Sequence, residues 1–416
     1  MVPKRSNQDA VRGVLSGPGI KDPVVPVAAI YGANASGKSN LLASLLFFVK
    51  AIRWSHSEPG MPNARVSFGL DDVSKQAPSR MECDVIANGV RYQYGFRIDD
   101  QRVLEEWLYE FAVGSRHRIL FHRNHAETEE FYFGPYLKGN NRAIQEQTRK
   151  DSLFLSTAGI NNHKTLNPLW NFFSDDLIGN LGIDERSRIS SSMNDLESNS
   201  VLREQVVSFL READTGISGI KMSDMPSELQ EKIIKNVDRQ FSNNQSMRDI
   251  AKRLVPAMKN ILFQHSIGSK DYTLHHGLES RGTQTMLGLG IQVCRILERG
   301  GVLVVDELES GLHPFVAKRL VDLFQDSNTN STGAQLLFAT HYTHLMTDLA
   351  PAQIWLCEKN GQGATEIYPL TAAQPRKGEN LEHGYLRGRY GGVPYMGPIE
   401  NVWPFRKRIK AGEVVP

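Results

Sequence analysis

Gly32-Ala33-Asn34-Ala35-Ser36-Gly37-Lys38-Ser39 fits the pattern G-x-x-x-x-G-K-[ST] and is followed directly by Asn40. The apolar run Val24 to Tyr31 leads into it and Asn40-Leu-Leu-Ala-Ser-Leu-Leu-Phe-Phe-Val49 leads out, so the pattern lies between a buried strand and a helix, the context it requires. Glycines let the backbone curl until successive N–H groups converge on phosphate oxygens, and the N-terminus of the new helix adds the positive end of its dipole. Lys38 is placed to bridge the outer phosphates, and Ser39 to offer its hydroxyl to Mg2+. The loop therefore nominates Gly32, Asn34, Ser36, Gly37, Lys38, Ser39 and Asn40 for nucleotide binding. Lys38 counts among the catalytic residues as well. The bland alternative is a chance match in a Gly-rich loop, and the strand-loop-helix context argues against it.

With 416 residues the chain can bury a large core, and its length suggests two or three domains. At 40% hydrophobic, 23% charged and a net charge of +2, the composition demands no strongly basic face and does not announce a nucleic-acid binder. Cys83, Cys294 and Cys357 lie far apart and form no C-x-x-C pair, so they read as reduced packing residues of a cytoplasmic protein. The start carries no apolar signal segment, and the longest apolar run, Leu41 to Val49, is too short to span a bilayer. No membrane partner is expected.

Along the chain, residues 1–54 read as an irregular start followed by the first part of a nucleotide-binding core. Residues 55–141 read as an inserted antiparallel β-region, with runs at Met81 to Ile86, Arg91 to Ile98, Val103 to Phe111 and Glu130 to Phe133, and an Asn88-Gly89 hairpin signal. Its expected task is to pack beside the base and phosphates. Residues 142–270 read as a helical insertion or lid, with apolar positions three and four apart in Val201 to Leu210 and Leu229 to Phe241. Arg186 to Ser200 is a Ser-rich link, and Pro256 is expected to bend or end a helix. Residues 271–370 return to apolar strands alternating with helix: Gly301 to Val305, Gln335 to Ala339, Gln353 to Glu358 and Ala364 to Leu370, with a helix from about Phe315 to Phe324. That alternation argues for an α/β core with a mostly parallel sheet covered on both faces, its halves at the two ends of the chain. Residues 371–416 read as a C-terminal tail, a candidate for partner docking.

Three further stretches carry chemistry. Gly301-Val-Leu-Val-Val-Asp306-Glu307 is an apolar strand ending in two acids. Asp306 can hold Mg2+ beside Ser39, and Glu307 can orient or deprotonate an attacking water. Leu336-Leu-Phe-Ala-Thr340-His341 is a second buried strand, ending in a histidine able to donate a hydrogen bond to the terminal phosphate; His344 competes for that role. Ser280-Arg281-Gly282-Thr283-Gln284 precedes the apolar helical stretch Met286 to Leu297, with Ser280 a good N-cap whose neighbouring N–H groups can receive a phosphate. The plainer reading of each is a solvated acid pair, a structural histidine and an ordinary helix start.

In their order, these four pieces resemble the ATP-binding-cassette type of ATPase head: P-loop, Ser-x-Gly signature, Asp-Glu strand and switch histidine. The resemblance implies a P-loop fold with ATP and Mg2+ as ligands, and a homodimer or higher homo-oligomer in which ATP is sandwiched between Lys38 of one copy and Ser280 and Gly282 of its twin. Asp306-Glu307-Leu308-Glu309-Ser310-Gly311-Leu312-His313-Pro314 departs from the transporter form. Together with Tyr385-Leu-Arg-Gly-Arg-Tyr-Gly-Gly-Val-Pro-Tyr-Met396, it is similar to prokaryotic SMC-, RecF- and OLD-like AAA-family ATPases of anti-phage defence, including the RloA and AbiLi abortive-infection proteins. That resemblance implies a separately encoded toxin or nuclease effector; DNA is a candidate partner under the alternative reading. An SMC/RecF-like DNA-maintenance ATPase is the alternative, though modest charge and the lack of a coiled-coil pattern argue against a long-armed version. About 75 residues follow His341, short for a separate nuclease domain.

Two family features are not placed by the residues. The stretch before the P-loop strand shows no adenine-stacking aromatic, and Gln76 and Gln93 are both weak candidates for a metal-contacting glutamine. His275-His276 reads as a surface pair, since neighbouring histidines rarely converge on one ion. His313 is expected to shape the segment after Glu307. Arg387-Gly-Arg389-Tyr390-Gly-Gly reads either as a docking loop or as a loop folded onto its own domain, and Arg406-Lys-Arg408 as a solvated tail.

Overall fold

The computed structural model describes residues 11–17, 24–111, 117–180, 195–213, 215–240 and 259–394, with isolated positions between 245 and 255. In chain order its elements begin with β1 (Val27–Gly32), α1 (Lys38–Trp54) and α2 (Asp72–Gln76). Five strands follow: β2 (Ser79–Ala87), β3 (Val90–Ile98), β4 (Val103–Phe111), β5 (Arg118–Asn124) and β6 (Phe131–Phe133). Then come α3 (Asn141–Gln147), α4 (Phe154–Ile160), α5 (Asn167–Asn171), β7 (Leu177–Asn180), α6 (Ser200–Glu212), β8 (Ile217–Asp224), α7 (Ser227–Gln240), β9 (Lys259–Ile267) and β10 (Lys270–His275). The chain closes with α8 (Arg281–Arg299), β11 (Val302–Val305), α9 (Pro314–Gln325), β12 (Gln335–Ala339), β13 (Ile354–Lys359), β14 (Thr365–Pro369) and α10 (Leu381–Leu386).

The central sheet has the order β14-β13-β1-β12-β11-β7. β1 pairs in parallel with β12, Val27 opposite Leu336, and with β13, Gly32 opposite Cys357; only the β13–β14 pair is antiparallel. A strand covered on both faces has no use for alternation, which is why β1 is apolar throughout and buried at every position. Its side chains still divide by face. Ile30 joins a cluster with Leu42, Phe48, Tyr94, Phe96 and Phe173, whereas Val27, Ala29 and Tyr31 join Leu289, Val293, Leu320, Phe324 and Phe338 on the other side.

The β2–β6 sheet is antiparallel throughout, and Asn88-Gly89 makes its first turn with both residues at positive φ. Its inner face lies on α1. Phe48 stacks on Phe96 with ring centres 5.2 Å apart and meets Tyr94 and Phe173 edge-on at 5.8 and 5.7 Å. Buried Glu106 ties the same sheet to α4 by accepting hydrogen bonds from the Phe154 and Leu155 N–H groups and from the Tyr94 hydroxyl. Burial pushes its carboxyl above the usual range, opposed by nearby Arg123 and by those donors.

The described residues of 142–270 carry strands as well as the expected helices. β7 extends the central sheet beside β11, and β8, β9 and β10 form a separate antiparallel sheet. β7 has only four residues, one of them glycine, too short for a visible period. The β9–β10 pair turns through Gly268-Ser269, a two-residue link with Gly268 at φ +62°. β5 was hidden by its three basic residues among Leu120 and Phe121. The start is not wholly irregular either: Leu15 bridges Val24, and Arg12 pairs with Asp322 on α9. Arg186 to Asn194 of the Ser-rich link, Pro256 and Arg406-Lys-Arg408 lie outside the described residues.

α8 contributes to two hydrophobic clusters. Leu289, Val293 and Ile296 face the central sheet, while Leu287 and Ile291 pack with Leu202 and Val206 of α6 and with Ile220, Ile261 and Phe263 of β8 and β9.

Phe48→Ala is expected to destabilise the protein by about 3–5 kcal/mol in denaturant unfolding, with Phe48→Leu costing less. A loss below about 1 kcal/mol would show that the inserted sheet does not depend on α1.

Candidate functional site

Strand and helix meet at the glycine-rich loop in a way the far end of the chain enforces. β1 ends at Gly32, and α1 begins after Gly37, whose φ of +108° suits glycine. A Cβ at Gly37 would stand 2.1 Å from the Thr365 hydroxyl. Thr365 donates that hydroxyl to the Ser36 carbonyl at 3.0 Å, the Cys357 thiol approaches the same oxygen at 3.4 Å, and Lys359 donates to Thr365 at 2.8 Å. The β13–β14 hairpin thus braces the loop. Ser36 is buried with its hydroxyl unpartnered, whereas Asn34, Ser39 and Asn40 are exposed.

Lys38 is buried and its ammonium donates to the Gly32 and Ala33 carbonyls at 2.9 and 3.1 Å. Burial pushes it below the usual lysine range, opposed by Cys357, Asp306, Glu309 and Glu307. Acids encoded near residue 306 therefore act electrostatically on a lysine near the start of the chain.

Asp306 follows the last residue of β11 directly, and Glu307 sits in the left-handed region at φ +52°. That conformation costs a non-glycine residue about 1–2 kcal/mol and is typical of residues aimed by their surroundings. It is held by Leu308 N–H donating to the Ala339 carbonyl at 3.2 Å and by Ser310 N–H donating to Glu307's own carbonyl at 2.8 Å. Two residues on, Glu309 accepts the Thr340 hydroxyl and the His341 N–H, each at 2.6 Å. Sequence reasoning missed Glu309. Its signal is an acid four residues past one strand opposite a Thr-His strand end, and it becomes legible only once β11 and β12 are known to be neighbours.

His341 lies exposed just beyond β12. Its loop is fixed by Thr340 N–H to the Ile30 carbonyl at 3.1 Å and by the Tyr31 hydroxyl to the Tyr342 carbonyl at 3.3 Å. His344 is engaged elsewhere: its Nδ1 lies 3.3 Å from Glu382, which also accepts the Thr343 hydroxyl.

Ser280 caps α8, its Oγ accepting Thr283 N–H at 3.1 Å. A Cβ at Gly282 would stand 2.8 Å from the Gly311 carbonyl, so glycine is what lets the loop after Glu309 pass close to this helix start. The loops of Lys38, Asp306, Glu307 and His341 all leave the carboxyl ends of the parallel strands β1, β11 and β12, the side of an open α/β sheet where ligands bind. Ser280 and Gly282 reach that acid loop through Gly311.

Other candidates have ordinary work. Gln93 spends its amide on Glu82 on the outer face of the β2–β6 sheet, and Gln76 ends the exposed α2. His275 lies 3.3 Å from the Asn260 side chain and accepts Gly277 N–H, while His276 Nδ1 lies 3.3 Å from the Ile261 carbonyl. His313 caps α9 by accepting Phe315 N–H. Arg389 pairs with Glu379, and Gly392 N–H donates to Glu358, so the Arg-Gly loop folds onto its own domain.

No curated protein matches this sequence. Among solved structures, distant similarity extends to an SMC head bound to the C-winged helix domain of ScpA (13% identity, TM-score 0.42, covering 87% of this chain and 97% of that one). It also extends to the SMC head domain of Thermotoga maritima (14%, 0.37, covering 86% and 96%). A third is an Smc head with an extended coiled coil bound to the C-terminal domain of ScpA from Pyrococcus furiosus (13%, 0.37, covering 88% and 96%). Residues 27–347, from the first residue of β1 past His341, match the family described as AAA domain, putative AbiEii toxin, type IV toxin–antitoxin system, and to that AAA-domain family the chain belongs.

Proposed function

We propose that this chain is an ATP-binding and hydrolysing ATPase of the cassette type that dimerises around ATP and controls a separately encoded effector in anti-phage defence. One observation carries the nucleotide reading: the loop of buried Lys38 and the loop of Asp306 and Glu307 leave the same end of one parallel sheet although more than 260 residues separate them. The family's description, which names the AbiEii toxin and a type IV toxin–antitoxin system, supports the defence reading, in line with the RloA and AbiLi resemblance.

The residues fit a triphosphate with its metal. Gly32 and Gly37 leave backbone where side chains would clash, the Ser36 hydroxyl is buried without a partner, and Ser39 with Asp306 offers the hard oxygen donors Mg2+ takes. Among the described residues no three His, Cys, Asp or Glu side chains converge on one point, so phosphate oxygens would complete the coordination. When bound, Mg2+ supplies charge neutralisation on the outer phosphates. Lys38 exchanges its loop carbonyls for phosphate oxygens, which relieves a buried positive charge. Glu307 takes a proton from, or orients, the attacking water, and His341 donates to the terminal phosphate. Ser280 and Gly282 act on the nucleotide held by the twin chain. No helix among the described residues is long and apolar enough to cross a membrane, and none is needed.

Three outcomes test this. Lys38→Met should leave the stability of the nucleotide-free protein within about 1 kcal/mol of wild type, because it removes a desolvated charge, while abolishing the thermal shift given by MgATP. The sign follows from the lowered pKa: at neutral pH the native state carries an ammonium it would rather lose. A full shift in the variant would refute the phosphate assignment. Glu307→Gln should cut turnover by a factor on the order of 100 or more and trap a nucleotide-bound dimer visible by light scattering; turnover at the normal rate removes Glu307 from the role of base. In cells, the chain with its neighbouring reading frame should restrict phage, with protection lost in Lys38→Met. ATPase activity stimulated by duplex DNA in a salt-sensitive way, without protection, would favour the DNA-maintenance alternative.

A further inference from the structure

We infer that Glu309 is a positioning residue for hydrolysis: its carboxylate clamps the loop of His341 to the loop of Glu307 and sets the distance across which the two act on one nucleotide. The inference rests on the hydrolysis reading and assigns Glu309 no contact with substrate.

The clamp is built from both sides. The Thr340 hydroxyl and the His341 N–H reach the two oxygens of one carboxylate, Oε2 and Oε1, each at 2.6 Å, the short separation of charge-assisted bonds. Thr340 Oγ1 in turn accepts Tyr342 N–H at 3.0 Å, so the whole Thr340-His341-Tyr342 turn is organised around this acid. On its own side Glu309 sits in a turn closed by Ser310 N–H to Glu307 and by Leu312 N–H to Glu309's carbonyl at 3.0 Å. Glu307 cannot rotate out of its left-handed conformation without moving this turn. β11 and β12 fix only the strands; past Val305 and Ala339 the ladder stops, and Leu308 N–H to Ala339 and the Glu309 carboxylate are the cross-links between the two loops. Breaking the clamp leaves the hydrogen bonds of the phosphate loop intact, since Lys38, Ser36 and Thr365 are held by other contacts, and Asp306 and Glu307 still oppose the charge of Lys38.

The chemistry distinguishes hydrogen bonding from charge. Glutamine at 309 keeps one carbonyl oxygen for the His341 N–H, and its NH2 group can donate to Thr340 Oγ1 once the hydroxyl turns. Alanine keeps neither. An acid acting by charge, as a base or a metal ligand, would lose its function in both variants.

The test compares wild type, Glu309→Ala and Glu309→Gln by MgATP turnover, nucleotide affinity and amide hydrogen exchange over residues 338–345 in the nucleotide-free protein. Glu309→Ala should lower kcat on the order of tenfold to a hundredfold with nucleotide affinity within about threefold of wild type, and should speed exchange at the His341 amide. Glu309→Gln should recover most of the rate and of the protection. Unchanged exchange and unchanged kcat in Glu309→Ala would overturn the inference, as would a Glu309→Gln variant as inactive as alanine, or a parallel loss of affinity. If wild type itself neither binds nor turns over ATP, the hydrolysis reading falls and takes the catalytic half with it; the exchange measurement then still decides whether the clamp exists.

Discussion

The parallel pairing of β1 between β12 and β13 is the constraint on which the molecule depends. A strand from residues 27–32 has its hydrogen-bonding edges filled by strands that begin at residues 335 and 354. The ordering of so much intervening chain is offset only by burial on both faces of the sheet, and the two hydrophobic clusters that share β1's alternate side chains provide it. Once that pairing exists, the carboxyl ends of β1, β11 and β12 lie side by side, and the loops carrying Lys38, Asp306, Glu307 and His341 have nowhere else to go.

This explains which parts of the protein could be read from its residues. Gly32 to Ser39 was legible because its chemistry is local: a glycine-dependent curl between an apolar strand and a helix needs no distant partner. Asp306-Glu307 and Thr340-His341 were legible because an apolar strand ending in polar residues marks its own boundary. Glu309 was not, because its meaning lies in a hydrogen bond to a loop some thirty residues away, across a register that sequence alone does not fix. The same holds for Glu106, a carboxylate made useful by burial against α4, and for Glu382, which draws His344 away from the strand end. The strands within residues 142–270 failed for a different reason. β7 is short and β8 and β10 are rich in polar residues, so tertiary context and not periodicity decides their state: β7 pairs with β11, β8 packs against α6 and α8, and β10, exposed along most of its length, pairs with β9.

α8 deserves notice as the mechanical hub. Its core-facing side chains read the central sheet, its opposite side packs on the β8–β10 unit, and its first turn abuts Gly311 in the loop after Glu309. In the proposed dimer, a helix so placed would report the state of one nucleotide to the serine that serves the other. The C-terminal segment packs on the same region: Tyr385 lies beside Tyr31 of β1, and Glu382 holds the turn after His341. A partner docking on residues 371–394 would therefore touch elements one bond removed from the strand ends.

The central claim, that each chain supplies half of a composite site, is tested most directly by mixing two inactive variants. Lys38→Met disables one chain's phosphate loop and Ser280→Arg disables the other's signature, so a mixed dimer retains one intact site made from both chains. The account predicts that neither variant hydrolyses ATP alone and that a one-to-one mixture recovers roughly a quarter of the wild-type rate at random pairing. No recovery in a mixture shown to contain mixed dimers, or full activity of Ser280→Arg alone, would contradict it.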